Sequence, residues 1–164
     1  MTPAVQTQFA NEFLQILKET FEGPAPIGPS AFIDKGTGLF QTVDDISAEI
    51  ASDPARPEGS TIAAHTEHIR FYVDVHYKLL LGARDKIDWN ESWRIRTVKA
   101  AQWDALRQDL RRAYTTVKGH LQRVNTWGED EISIALAIIA HTAYHLGAIR
   151  QILLAVQENP ENDG

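Results

Sequence analysis

Four long segments of the chain carry apolar residues at three- and four-residue spacing, and this periodicity constrains the fold more than any other feature. It is the spacing of helices that bury one face. The predicted helices span about residues 2–21, 60–81, 98–124 and 129–158. No segment alternates apolar and polar residues between hairpin turns, so we expect little or no sheet. The sequence therefore predicts an all-α fold, a four-helix bundle made by a single domain of residues 1–164.

Capping residues and helix breakers mark the ends of the predicted helices. Thr2 suits the cap of the first helix, and residues 23–29, which are rich in Gly and Pro, end it. Ser60 or Thr61 suits the cap of the second helix, and Gly82 ends it. These signals support separate helices joined by loops.

Two connectors are longer than a simple bundle requires. The connector between helices one and two reaches about residue 59 and has room for a short helix near residues 43–52. The connector between helices two and three contains the aromatic segment 88–93. Long irregular connectors are more often functional or packing lids than spacers. Residues 159–160, Asn and Pro, are expected to end the fourth helix.

The composition excludes several classes of function. The net charge is −6, and the Lys and Arg residues do not cluster, so nucleic acid is not an expected partner. The chain has no cysteine, so any metal would bind through His, Asp or Glu. The N-terminus lacks the features of a signal peptide. Residues 132–149 hold no charged side chain, but the histidines among them would be costly in lipid, which favours a buried helix of a cytoplasmic protein over a membrane span.

All six histidines lie on predicted helices, and four of them form two close pairs. His141 and His145 are four residues apart, so both imidazoles lie on one face and can reach one ion. His68 lies on the apolar face of the second helix, with His65 about 60° away on its inward half. Imidazoles that face a core without partners are costly, and a shared cation would remove that cost. The residues alone leave two interpretations open: a metal site, or buried histidines that hydrogen-bond to other groups.

Residues 141–151 resemble the last-helix signature of the DinB-like superfamily. That signature has a His, a second His four positions later that follows an aromatic residue, and then a Gly and a basic residue with Gln. The capped start at Thr61, followed seven residues later by His68 and an aliphatic residue, is similar to the second-helix motif of the same family. The resemblance covers nearly the whole chain. It implies a DinB-like four-helix bundle with a divalent metal ion bound by three histidines: His68, His141 and His145.

The resemblance also implies a cofactor, a function and partners. The expected cofactor is a divalent metal ion, with Zn or Ni ahead of Fe or Mn. Some members of the family transfer low-molecular-weight thiols and others are metal-dependent hydrolases, and dimers are common. The expected function is therefore transfer of a low-molecular-weight thiol to a small electrophilic substrate, or hydrolysis of such a substrate. The thiol-transferase branches often carry an acidic residue shortly after the second-helix His, whereas residues 69–71 here are Ile, Arg and Phe.

The alternative function is a non-catalytic, metal-dependent module that binds small molecules in a stress response. A third reading is an interaction protein in which the histidines only satisfy one another. Three neutral imidazoles leave a coordination position open, which is typical of catalytic or ligand-binding metal sites. A metal ion there could lower the pKa of bound water or bind a thiol as thiolate.

Several residues near the predicted site are candidates for catalysis or for contacts with a substrate, and packing or capping is the alternative role of each. On the helices these candidates are His65, Tyr72 and Tyr144. On the second connector they are Asp88, Trp89 and Trp93. No role is assigned to His76 or His120.

The fourth helix is apolar nearly all round. The side opposite the histidines carries four apolar residues, Leu136, Ile139, Ala143 and Leu154. Burial on more than one side would explain this pattern. A central position in the bundle would give such burial, and so would a homodimer interface on this helix, which is the interpretation we prefer.

Overall fold

The computed structural model describes residues 2–158, and this part of the chain is all-helical, with six α-helices, one 3₁₀ turn and no strand. The helices are α1 (Pro3–Glu22), α2 (Leu39–Asp44), α3 (Ala48–Ser52), α4 (Ile62–Leu80), α5 (Ala100–Leu121) and α6 (Glu129–Glu158), and the 3₁₀ turn spans Trp89–Trp93. The predicted all-α class is confirmed. The expected end of the last helix at residues 159–160 lies outside the described residues.

The predicted capping residues begin and end the helices. The Thr2 side chain accepts a hydrogen bond from a backbone N–H in the first turn of α1, and α1 ends at Gly23, whose φ is 87°. Thr61, rather than Ser60, caps α4, and Gly82 follows that helix with a φ of 88°. A positive φ is costly for residues with a Cβ atom, so glycine suits both positions.

The four long helices share one core. α4 contacts α5 and α6, and α1 contacts both α5 and α6. Full burial of a large aliphatic or aromatic side chain contributes about 1.5–3 kcal/mol. The largest fully buried side chains come from α1, α2, α4, α5 and α6, and include Leu17, Phe21, Leu39, Ile69, Trp103, Leu110, Ile138 and Ile149.

The first connector contains two short helices where the sequence suggested room for one. α2 ends at Asp44 and α3 begins after Ser47, whose side chain accepts a hydrogen bond from the N–H of Ile50. A hydrogen bond from α5 fixes the turn between these two helices, since the Trp103 indole N–H donates to the carbonyl of Ile46 at 3.0 Å. A serine cap and a distant indole therefore divide the segment into two helices.

The buried carboxylate of Glu19 attaches the start of this connector to α1. Its oxygens accept three backbone N–H bonds, at 2.8 to 3.0 Å, from Ala31, Phe32 and Ile33. Burial alone would raise the pKa of Glu19, but the three N–H donors lower it below its ordinary value. The carboxylate is thus held in its charged form, and it fixes an otherwise irregular segment.

α6 combines a buried face with an exposed apolar one. By length and composition it could cross a membrane, and 33% of its most apolar window is buried within the structure. A core helix passes the same test, so this property is weak evidence for a membrane span. The buried residues face α1 and α4 and include Ile138, His145 and Ile149. The outer face of α6 is exposed and consists of Leu136, Ala140, Tyr144, Gly147, Gln151 and Leu154.

Candidate metal centre

α4 and α6 bring four histidines together between them. His65 and His68 come from α4, and His141 and His145 come from α6. The ring centroids of His68 lie 4.9 Å from His141 and 4.7 Å from His145. The two α6 rings are 4.4 Å apart, as four-residue spacing on a helix allows. One ring nitrogen from each of three histidines (His68, His141 and His145) lies within 4.8 Å of the others.

These three histidines fit a divalent cation. Tetrahedral Zn–N bonds of about 2.0–2.1 Å separate the ligand nitrogens by about 3.4 Å, and the three ring nitrogens here, within 4.8 Å of one another, have a similar spacing. The Nε2 atom of His141 is buried and has no hydrogen-bond partner among the described residues. An unpaired buried nitrogen costs about 1–3 kcal/mol, and coordination to a cation would remove that cost.

Ser92 in the 3₁₀ turn determines which nitrogen of His68 carries the proton. The Ser92 hydroxyl donates to the carbonyl of Trp89 at 2.6 Å, and it lies 2.7 Å from His68 Nδ1. A hydroxyl has one hydrogen, so the second bond must be donated by His68 Nδ1–H to Ser92 Oγ. His68 therefore keeps the lone pair of Nε2 free for a metal ion. Ligand histidines in metalloproteins are oriented by such bonds from the other ring nitrogen.

His65 has the corresponding position beside His145. The two Nδ1 atoms lie 2.8 Å apart, and a bond between them requires one proton. With His145 as the donor, its Nε2 lone pair is free for a metal ion, and His65 carries its own proton on Nε2. Both rings are buried, so this pair is shielded from competing water.

Aromatic rings stack on His141 and His68 and fix the orientation of these two imidazoles. Tyr72 stacks on His141 with centroids 3.6 Å apart and planes at 11°. The opposite face of Tyr72 is covered by His76, whose Nδ1 bonds to the Tyr72 carbonyl at 2.8 Å. Trp93 stacks on His68 at 4.1 Å. The imidazoles are therefore fixed in plane by their neighbours.

The cluster lowers the pKa of each of its histidines. Burial is the main cause for all four, and neighbouring imidazoles add to it for His65, His141 and His145. The pKa falls to about 4 for His141 and to about 3 for His145. Neutral imidazole is the form that binds a metal ion, so all four rings are in the binding form at neutral pH.

The other sequence candidates lie around this cluster at different depths. Tyr144 is 73% exposed and its ring meets His145 edge-on at 4.9 Å. Trp89 lies 5.7 Å from Tyr72, and it and Trp93 are partly exposed. The Asp88 carboxylate accepts the N–H of Asn90 and caps the 3₁₀ turn.

Three residues, His76, His120 and Ser92, were not assigned to the site from the sequence, and they lie at different distances from it. His120 lies on α5 against Tyr77, outside the cluster. His76 reaches the cluster indirectly, through Tyr72. Nothing in the sequence marks Ser92, because a single serine in an irregular connector has no periodicity that relates it to a helix.

The sequence comparison identifies the family. The chain belongs to the DinB superfamily, whose profile matches residues 35–149. That range contains all four clustered histidines and Ser92. The resemblance noted in the sequence is therefore confirmed. No curated protein and no solved structure matches the chain.

Proposed function

We propose that the chain is a metal-dependent enzyme of the DinB superfamily, with a divalent cation held by His68, His141 and His145. Its reaction would be transfer of a low-molecular-weight thiol to a small electrophilic substrate, or hydrolysis of that substrate. The observation that carries the proposal is the buried, unpartnered Nε2 of His141 beside two further ring nitrogens within 4.8 Å. Family membership supports the same assignment.

The residues of the site would divide the work as follows. The three neutral imidazoles would hold the cation. Ser92 keeps the proton of His68 away from its ligand nitrogen, and His65 would do the same for His145 when His145 donates the bond between them. A Zn or Ni ion, or Fe or Mn, would supply Lewis-acid chemistry that activates a thiol or water. Tyr72 and Tyr144 border the cluster and would contact a substrate there.

The alternative function is a non-catalytic, metal-dependent module that binds small molecules. One observation favours it. Among the described residues, no Asp or Glu side chain forms a hydrogen bond or ion pair with the three histidines, so no carboxylate supports the proposed ligands. A screen of thiols against electrophilic acceptors, run on metal-loaded protein, separates the two functions by the presence or absence of turnover.

Metal content tests the shared part of both proposals. We expect purified protein to contain about one equivalent of divalent metal, and His141→Ala to lose it, because that substitution removes one ligand of three. Elemental analysis measures this, and thermal melts with and without a chelator measure the accompanying stabilisation.

His120→Ala is the matched control, since His120 lies outside the cluster, and it is expected to keep the metal. If His141→Ala bound and was stabilised by metal as well as the unsubstituted protein, the three-histidine assignment would be wrong.

We also propose the finer features of the fold and its setting. The contacts of α4 with α5 and α6, and of α1 with both, support a DinB-like four-helix bundle in which α2 and α3 form part of the first connector. The exposed outer face of α6 supports a homodimer. We also propose a protein of the cytoplasm with small-molecule substrates. The acidic net charge argues against nucleic acid as a partner, and the histidines of α6 argue against a membrane.

A further inference from the structure

A cavity of about 370 Å³ is lined by His65, but not by His145, and opens between residues 54–60 and the second half of α6. Volumes of 300–1,000 Å³ are typical of small-molecule sites. One wall is apolar, formed by alanines together with Pro54 and Ile152. The polar lining comes from four side chains: Arg56, Ser60, His65 and Gln151.

The charge of this lining selects for anions. Among the described residues that line the cavity, Arg56 is the single charged one, in a chain whose net charge is −6. The planar guanidinium presents paired N–H donors that match the two oxygens of a carboxylate. A cation would meet no opposite charge on these described residues, whereas a carboxylate would meet Arg56.

His65 adds a second donor and connects the cavity to the histidine cluster. Its Nδ1 is bonded to His145, and its Nε2 has no partner among the described residues. When His145 donates the bond between them, the single proton of neutral His65 is on Nε2, so this nitrogen presents an N–H donor. One ring therefore bridges the cavity and the proposed metal ligand His145.

Residues 54–60 form one wall of the cavity, and their backbone has unusual dihedral angles that hydrogen bonds hold in place. Ala55 and Glu58 have φ values of 58° and 59°, the left-handed region that residues with a Cβ atom rarely adopt. The Ala55 N–H donates to Asp53 at 2.7 Å, and Arg96 donates to the Gly59 carbonyl at 2.8 Å. Backbone strain of this kind is concentrated at ligand sites and persists only where the surroundings enforce it. The wall is thus preformed.

We propose that this cavity binds the carboxylate of a small molecule with an apolar body. Arg56 pairs with the carboxylate, the His65 Nε2–H donates to it, and the wall around Ile152 contacts the apolar part. The role of this molecule as a substrate rests on the proposed function. His65 lines the cavity and is hydrogen-bonded to His145, which is a proposed metal ligand. Binding itself needs only the cavity.

A pair of probes that differ in charge tests the site. Hexanoate and its neutral analogue hexanamide are titrated into chelator-treated protein and followed by the backbone amide signals in two-dimensional NMR. We expect hexanoate to shift the amide signals of residues 54–60 and 148–155, and we expect hexanamide to bind with at least 10-fold lower affinity. Arg56→Gln is expected to lower the affinity for hexanoate by at least 10-fold. Ala155→Leu is expected to lower this affinity as well, because the larger side chain narrows the cavity from an exposed position.

Arg112→Gln on α5 is the matched control, because it removes an equally exposed guanidinium outside the cavity, and it should bind hexanoate like the unsubstituted protein. Equal binding of hexanamide, unchanged hexanoate affinity in Arg56→Gln, or the absence of shifts in these two segments would overturn the proposal. Because the titration uses metal-free protein, its result is independent of whether the three histidines bind a metal ion.

Discussion

A buried imidazole can present either ring nitrogen, and the hydrogen bond at the other nitrogen decides which one is free. In this cluster a different neighbour supports each proposed ligand. A hydroxyl holds His68, an imidazole holds His145, and a stacked phenol ring holds His141. Side chains held in this way need little reorganisation when a cation arrives, so more of the binding energy is retained.

Ser92→Ala is expected to release the tautomer of His68 and to weaken metal binding by about 10- to 100-fold. Alanine removes the oxygen that accepts the Nδ1 proton, so the neutral ring can carry its proton on Nε2 and block the ligand nitrogen. The ¹⁵N shifts of the His68 ring in chelator-treated protein report the tautomer, and competition with a chelator reports the affinity.

Ser52→Ala provides the comparison for this experiment. Ser52 on α3 also makes two hydrogen bonds, but both are to backbone groups: it donates to the carbonyl of Ala48 at 2.7 Å and accepts from the N–H of Val98 at 2.9 Å. It does not contact the histidines, so both readouts should stay unchanged in that variant. A His68 ring that keeps its proton on Nδ1 in Ser92→Ala would show that another group sets the tautomer.

At the scale of the helices, α1 has two functions: its apolar face fills the core, and Glu19 holds the connector beside it. We expect Glu19→Gln to lower the free energy of unfolding by about 2 kcal/mol, because charge-assisted bonds to backbone N–H groups are replaced by weaker neutral ones. Urea denaturation measures this loss. Faster cleavage by trypsin after Lys35, which lies just beyond the anchored residues, should accompany it.

Glu12→Gln separates this effect from a general loss of charge on the same helix. Glu12 is exposed on α1, so its substitution should change stability by less than about 0.5 kcal/mol. If the two variants, Glu19→Gln and Glu12→Gln, had the same free energy of unfolding, the three N–H bonds would not stabilise the connector.

At the scale of the whole molecule, the features that depend on local periodicity were predictable. The four long helices were expected from apolar spacing, and the last begins at Glu129 as predicted. The third was expected over residues 98–124 and is shorter, Ala100–Leu121, because helix ends depend on capping more than on the apolar pattern. The proximity of His141 and His145 follows from the same periodicity.

Features that depend on contacts between distant parts of the chain were not predictable. The division into α2 and α3 depends on Trp103, far along the chain, and the His68 tautomer depends on a serine in the 3₁₀ turn. Helix geometry alone also left the choice between His65 and His68 open. The structure brings both into the cluster, with His68 beside the two α6 histidines and His65 hydrogen-bonded behind His145.

The outer face of α6 determines the expected state of association. Leu136 and Leu154 are about half exposed, Tyr144 is more so, and no charged residue interrupts this face. A large apolar patch on a helix is costly in water, and a second copy of the chain would cover it. We expect dimers in sedimentation velocity runs, and we expect Leu136→Arg to weaken the dimer by about 100-fold, because it places a charge in a desolvated contact.

Val5→Arg is the matched control for that substitution, since Val5 is a similarly exposed apolar residue on α1, and it should leave the dimer intact. The two variants add the same charge, so a difference between them reports the position and not the charge. Only monomer at high concentration of the unsubstituted protein, or equal dissociation by both variants, would show that the outer face of α6 is not the interface. The apolar character of α6 would then require another partner.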